Sequence, residues 1–273
     1  MSTRKPAVAG TFYPGEATKL KKDIQKYLSA VPALDEFANI AGIISPHAGY
    51  IFSGPVAATA FKAIAHLKPK TVIVFSPSHQ EYFQKYSIYP GDSYTTPLGE
   101  LKINDDLRSK LLNNPHVIQS TAGHKAEHAL EVQLPFLQEI FSHRFEIVPV
   151  VIGDVTIEMM DSVAGALANL NLTEDFLVIA SSDLSHFHSY ELANTIDREL
   201  LDLLQSYNLD EIAAGIDDHT LEACGIMPIY TLMKYTAERS KAVCKILDYR
   251  NSGDTAGDKY RVVGYAAGIV YNP

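Results

Sequence analysis

Thr71-Val-Ile-Val-Phe-Ser-Pro-Ser-His79 begins with four β-branched residues and an aromatic, then stops on Ser-Pro-Ser-His. Apolar side chains on consecutive positions suit a strand covered on both faces rather than one with a wet side. Pro77 fixes φ and brings no ladder donor, so it ends the strand and leaves His79 on a short stiff turn. Working outward, residues 40–45, 145–152 and 176–180 read the same way. Segments with helical spacing lie between and after these runs, at 55–66, 129–140, 157–170, 191–204 and 221–236. This rhythm of strand and helix predicts an α/β/α sandwich with a largely parallel sheet. The end of the chain differs. Residues 242–249 and 261–271 are strand-like and joined by a polar stretch too short for a crossover helix, which predicts an antiparallel C-terminal hairpin.

The chain has 273 residues, 47% apolar and 20% charged, without a repeat, a low-complexity tract or a linker between independent cores. Stretches 30–37 and 89–99 are loop-like but divide nothing, so residues 1–273 are read as one domain. With 23 basic against 32 acidic side chains and a net charge of -9, the surface is not that of a nucleic-acid-coating protein. No stretch approaches the roughly 20 apolar residues of a membrane span, and the basic start lacks the apolar run of a secretory signal. Two cysteines cannot build a disulfide framework. A cytoplasmic protein is expected.

Three of the strand candidates finish alike: Ile43-Ile-Ser-Pro-His47, Val74-Phe-Ser-Pro-Ser-His79 and Ile179-Ala-Ser-Ser-Asp-Leu-Ser-His186. Loops that follow parallel strands share one edge of the sheet, the edge where α/β proteins place their sites, so the three histidines are expected to converge. Gly123-His-Lys-Ala-Glu-His128-Ala-Leu-Glu131 puts Glu127, His128 and Glu131 at the start of a predicted helix. The helix dipole accounts for both glutamates there and leaves His128 as the functional candidate. Cys224 precedes the last helical run, where a helix N-terminus draws a thiol toward thiolate. Cys244 sits in an apolar alternation and reads as packing, and His66, His116 and His143 fall outside every motif. There is no Cys-x-x-Cys, His-Glu-x-x-His, P-loop or nucleophile elbow.

Pro46-His-Ala-Gly-Tyr50 with Ser53-Gly54, Ser76-Pro-Ser-His79, Glu127-His-Ala-Leu-Glu-Val-Gln-Leu-Pro-Phe136, Ser181-Ser-Asp-Leu-Ser-His186, Ala223-Cys-Gly225 and Ser252-Gly-Asp254 with Val263-Gly-Tyr265 together resemble the Memo family. Its microbial members are called AmmeMemoRadiSam system protein B. The likeness begins at Arg4-Lys-Pro-Ala-Val-Ala-Gly-Thr-Phe-Tyr-Pro14 and runs to the last strand. It implies a fold similar to LigB-like class III extradiol dioxygenases, which hold non-haem Fe(II) at the sheet edge. It further implies His47, His79 and Cys224 as metal ligands, His186 as an acid/base histidine, and Asp183 and His128 lining the same pocket. Fe(II) is the leading metal by this resemblance. A two-histidine, one-thiolate set is soft enough to welcome Cu or Zn as well. The name of the family also suggests a pathway shared with a radical-SAM protein.

Three functions are weighed. The first is a metal-dependent redox enzyme of dioxygenase type acting on an unidentified small molecule. The second is a non-catalytic module that captures a peptide or anionic ligand, with Phe12, Tyr13, Tyr50 and Phe52 as an apolar anchor. The third is a thiol hydrolase using Cys224 with His128 or His186. Ser182, Asp183 and His186 lie too close together on one turn for the usual serine relay.

Overall fold

The protein is described here from a computed structural model that covers residues 2–171, 175–239 and 241–273. In chain order its elements begin with β1 (Thr3–Arg4), α1 (Ala17–Ala30), β2 (Ile40–Ser45), α2 (Tyr50–Ile64) and β3 (Thr71–Pro77). There follow β4 (Tyr86–Ile88), β5 (Ser93–Thr96), β6 (Gly99–Lys102), α3 (Asp105–Leu111), β7 (Val117–Gln119), a 3-10 turn (Glu131–Gln133) and α4 (Leu134–Ile140). Next are β8 (Glu146–Ile152), α5 (Ile157–Leu170), β9 (Phe176–Ser181), β10 (Asp183–His188), α6 (Tyr190–Ser206) and α7 (Leu209–Asp217). The chain closes with α8 (Ile226–Ala237), β11 (Val243–Asn251), α9 (Ser252–Ala256) and β12 (Val262–Tyr271).

The four doubly apolar runs form the parallel centre of the main sheet, in the spatial order β2, β9, β3, β8. Successive side chains point to opposite faces, so burying such a run needs two cores. Both exist. Ile43, Val72, Val74, Leu177 and Ile179 pack under α1, α2 and α4, whereas Ile44, Ile73, Phe75, Val178 and Ala180 pack under α5, α6 and α8. Each such aliphatic, taken fully out of water, contributes roughly 1.5–3 kcal/mol. The α/β/α sandwich is therefore what the consecutive apolar positions require.

The sheet as a whole is mixed. On one side β4 runs antiparallel to β8 and carries β7. On the other, β12 pairs antiparallel with β2, β10 and β11. The expected hairpin of β11 and β12 is present, with the single turn of α9 between its strands. A second, small sheet of β1, β5 and β6 ties the N-terminal segment to the body.

Three boundaries differ from the sequence reading. Helix α2 starts at Tyr50, five residues before Pro55, because the Gly49 carbonyl already accepts from Phe52 N and Ser53 N. Pro55 then lies inside the helix and removes one backbone bond. The segment read as a helix from 129 becomes α-helical only at Leu134, and α8 begins at Ile226 rather than 221. Both delays leave chemistry-bearing residues on irregular backbone.

Candidate metal centre

β2, β9 and β3 end nearly level, since Ser45 pairs with Ser181 and Phe75 with Ala180. His47 leaves the end of β2, His79 follows β3, and Asp183 opens β10 directly after β9. The turn that carries Cys224 reaches the same place because Gly225 has no side chain. A Cβ there would meet the Ser181 carbonyl at 2.2 Å and the Ser182 Cβ at 2.6 Å. Any larger residue would push Cys224 away from the strand ends.

The imidazoles of His47, His79 and His128 face one another. Their ring centroids lie 5.1 Å (His47 to His79), 5.4 Å (His47 to His128) and 4.7 Å (His79 to His128) apart. One ligand atom from each falls within 4.8 Å of the other two. Cys224 Sγ stands 3.1 Å from His47 Nε2 and 3.6 Å from the Asp183 carbonyl oxygen. Asp183 Oδ1 accepts from the His47 backbone N at 2.7 Å.

Hydrogen bonding fixes which nitrogens are open. Ser181 Oγ donates its only proton to the Ala129 carbonyl at 2.7 Å, so toward His47 Nδ1, 2.9 Å away, it accepts. His47 therefore carries its proton on Nδ1 and turns a bare Nε2 toward Cys224. His79 Nδ1 donates to Glu127 Oε1 at 2.9 Å, which leaves its Nε2 available in turn. A histidine with one nitrogen anchored on a carboxylate or hydroxyl and the other open is the arrangement found behind metal-ligating imidazoles. Three imidazoles and a thiol are a donor set that suits Fe, Cu or Zn, so the residues present fit a transition metal.

Charges follow from these contacts. Burial, and then the neighbouring His79, His128 and His186, hold His47 well below the ordinary histidine range. Burial also lowers His128 and His186. For His79 burial opposes the charged form, but the hydrogen bond and charge of Glu127 prevail and its pKa is raised. Glu127 is lowered in return, its burial outweighed by His79 and by backbone donors. Burial pushes Asp183 up to about 7 against the backbone donors of His47 and Ala48.

The structure corrects the dipole explanation of the two glutamates. Both side chains are fully buried on irregular or 3-10 backbone and are spent on specific partners. Glu131 accepts from Ala7 N, Val8 N and the Tyr13 hydroxyl and pairs with the buried Arg4. Arg4 in turn donates to the carbonyls of His124 and Glu127. The helix N-terminus before α8 does not make Cys224 a thiolate either. Burial raises its pKa, and its S–H donates to the Asp183 carbonyl while Sγ lies against His47 Nε2.

His186 is not a member of the imidazole trio. The chain after β9 enters β10 without a turn, and His186 sits in that strand opposite Val263 with its ring against Phe187. His128 takes the third place instead, its ring packed on Phe12 at 4.7 Å. Cys224 contacts His47 rather than His128 or His186, so the pairing a thiol hydrolase needs is not formed. Of the four aromatics read as an apolar anchor, Tyr13 and Tyr50 are core residues, and Phe52 is exposed beside Ile51. Cys224 also lines a cavity of about 200 Å³ with Pro77, Tyr82, Ile152, Met227 and Pro228. Arg4 is the participant that sequence reading missed; Glu127 and Glu131 were named there but given to the helix dipole rather than to their buried partners. Arg4 stands beside Lys5 after Ser2 and Thr3, so no local pattern set it apart.

Among solved structures, an uncharacterized protein of Escherichia coli K12 matches with a TM-score of 0.56 at 11% identity, covering 85% of this chain and all of that one. That likeness concerns the fold alone. Sequence relatives are closer. The MEMO1 family protein of Ignicoccus hospitalis is 37% identical over 98% of either chain. Those of Aquifex aeolicus and Nitrosopumilus maritimus are 35% and 32% identical, each over 97% of this chain and 98% of theirs. The family model for Memo-like proteins matches residues 4–269. Imidazoles, thiol and carboxylates thus meet in a chain that, from Arg4 almost to its last residue, belongs to the Memo family.

Proposed function

We propose that this chain is a metal-dependent redox protein whose ligands are His47, His79 and Cys224, with Fe(II) as the leading metal and Cu or Zn as alternatives. The observation that carries the reading is the shared direction of the open nitrogens. His47 and His79 each spend Nδ1 on a protein acceptor, and Cys224 Sγ stands 3.1 Å from the bare Nε2 of His47. A redox metal with open positions, when bound, supplies Lewis-acid and electron-transfer chemistry toward an oxygenated small molecule.

The protein's own groups then have separable tasks. Asp183 holds the His47 backbone in place through its Oδ1. Ser181, fixed by Ala129 O and Gln133 Nε2, keeps the proton of His47 on Nδ1. His128 completes the imidazole wall, and His186 is the residue assigned to proton transfer, on β10 where its pairing with β12 shifts register on either side of it.

Protein purified without oxygen is expected to hold about one metal ion per chain by elemental analysis. The combined His47→Ala, His79→Ala, Cys224→Ala variant is expected to remain folded and to lose that metal. Retention of a full equivalent by the folded triple variant sinks the reading. A second reading has one observation in its favour: Ile51 and Phe52, 69% and 40% exposed directly after the His47 loop, are an apolar pair that a captured peptide could cover. Oxygen uptake by metal-loaded protein with catechol-like candidates, lost in His186→Ala, supports turnover. Tight binding of such candidates without uptake supports the capture module.

A further inference from the structure

Glu127 stands at the centre of the support behind the imidazoles. Its Oε2 accepts from the His79 backbone N at 2.7 Å, and its Oε1 accepts from His79 Nδ1 at 2.9 Å. The same Oε1 accepts from the backbone N of His128 at 3.0 Å and of Ala129 at 2.9 Å, and lies 3.3 Å from His128 Nδ1. One fully buried carboxylate therefore grips the main chain and the ring of His79 while holding the main chain of His128. Behind it, Arg4 donates to the Glu127 carbonyl and pairs with Glu131, whose two oxygens fasten Ala7, Val8 and Tyr13.

We infer that Glu127 is a shared positioning residue for the metal centre: it sets the tautomer and direction of His79 and fixes the approach of His128, and the N-terminal strap around Arg4 keeps Glu127 itself in place. A buried carboxylate with this many donors has no freedom to turn, because releasing any donor leaves an unsatisfied buried group. Imidazole rings held this way lose little freedom when a metal arrives. The role in metal binding rests on the proposal above; the role in ring orientation does not.

The test compares wild type, Glu127→Gln and Glu127→Asp. Gln keeps the shape, but its amide nitrogen cannot accept from a ring or backbone N–H. Asp keeps the charge one methylene short of its partners. Nitrogen-15 NMR of histidine-labelled, metal-free protein is recorded in the pH range where imidazole is neutral. It is expected to show His79 with its proton on Nδ1 in wild type and a mixture of tautomers in Glu127→Gln. Titration with Co(II) is expected to show affinity reduced roughly 10–100-fold, with an altered visible spectrum, in Glu127→Gln. Glu127→Asp should fall between, and it carries the test if the Gln variant does not fold. Unchanged tautomer, affinity and spectrum in folded variants overturn the inference. Wild type that binds no Co(II) while the variants still lose the His79 tautomer rejects the metal reading and leaves the positioning role standing.

Discussion

His124 and His79 lie on loops tied to one buried network, His124 through Arg4 and His79 through Glu127, yet their ring nitrogens are spent in opposite ways. His124 is almost wholly buried and has both nitrogens occupied: Nδ1 meets the Tyr94 hydroxyl at 2.6 Å and Nε2 meets the Ser87 carbonyl at 2.9 Å. His79 has a side chain 26% exposed, Nδ1 held by Glu127 and Nε2 open toward two other imidazoles. Burial alone would have marked His124 as the special residue. What separates a bracing histidine from a ligating one is the count of nitrogens the protein leaves unspent.

The contrast can be broken at either end. His79→Gln is expected to weaken metal binding at least about 100-fold, equivalent to roughly 3 kcal/mol. It should cost less than about 1 kcal/mol of stability, because the Gln amide can still donate to Glu127. Calorimetric titration and chemical denaturation read the two quantities. His124→Ala should do the reverse. It strands the Tyr94 hydroxyl and the Ser87 carbonyl, so a stability loss of about 2 kcal/mol is expected with metal affinity unchanged. If His124→Ala empties the metal site while remaining folded, the distinction fails.

A smaller effect sharpens the bracing half. Burial, and secondarily the Arg4 charge, lower His124 to about 4 from 6.5, against the raising effects of the Ser87 carbonyl and Glu127. The unfolded chain thus takes up a proton near pH 6.5 that the folded protein refuses until about pH 4. Its contribution is fully present above the unfolded value and is lost as pH falls through that window. Between roughly pH 7.5 and 5.5 the expected loss from this group is about 1 kcal/mol. His47, His128 and His186 are lowered too and act in the same direction, so the measurement is the difference in acid slope between wild type and His124→Gln. Parallel slopes would remove His124 from the account.

The parts that could be read in the sequence were those with local causes. Consecutive β-branched positions forced the doubly covered strands, and Pro46 and Pro77 marked where two of them stop. Those stops put His47, His79 and His186 at one edge, whereas Asp183 and Cys224 entered the pocket only through the resemblance to the Memo family. The remainder depended on distant partners. Nothing near Glu131 announces that Arg4, 127 positions earlier, will be its counterion. A glutamate before an apolar run is equally well explained by a helix N-terminus, and only the late start of α4 removes that explanation. His186 was read on a turn for a related reason: its ladder partner Val263 lies far along the chain, so the strand that carries it beside His47 and His79 had no local signal.

Cys224 and His47 are 177 residues apart, and the sulfur reaches the imidazole only through the Gly225 turn that follows β10, α6 and α7. This separation has a meaning in time. At about 5–20 residues per second of synthesis, the thiol leaves the ribosome roughly 10–35 s after the first imidazole. Until then β2 also lacks β12, its last ladder neighbour. A nascent chain carries histidines without their sulfur and, beside them, a strand whose second edge has no partner yet. The pocket is thus assembled as a late event, by a chain whose final quarter both seals the sheet and delivers the thiol.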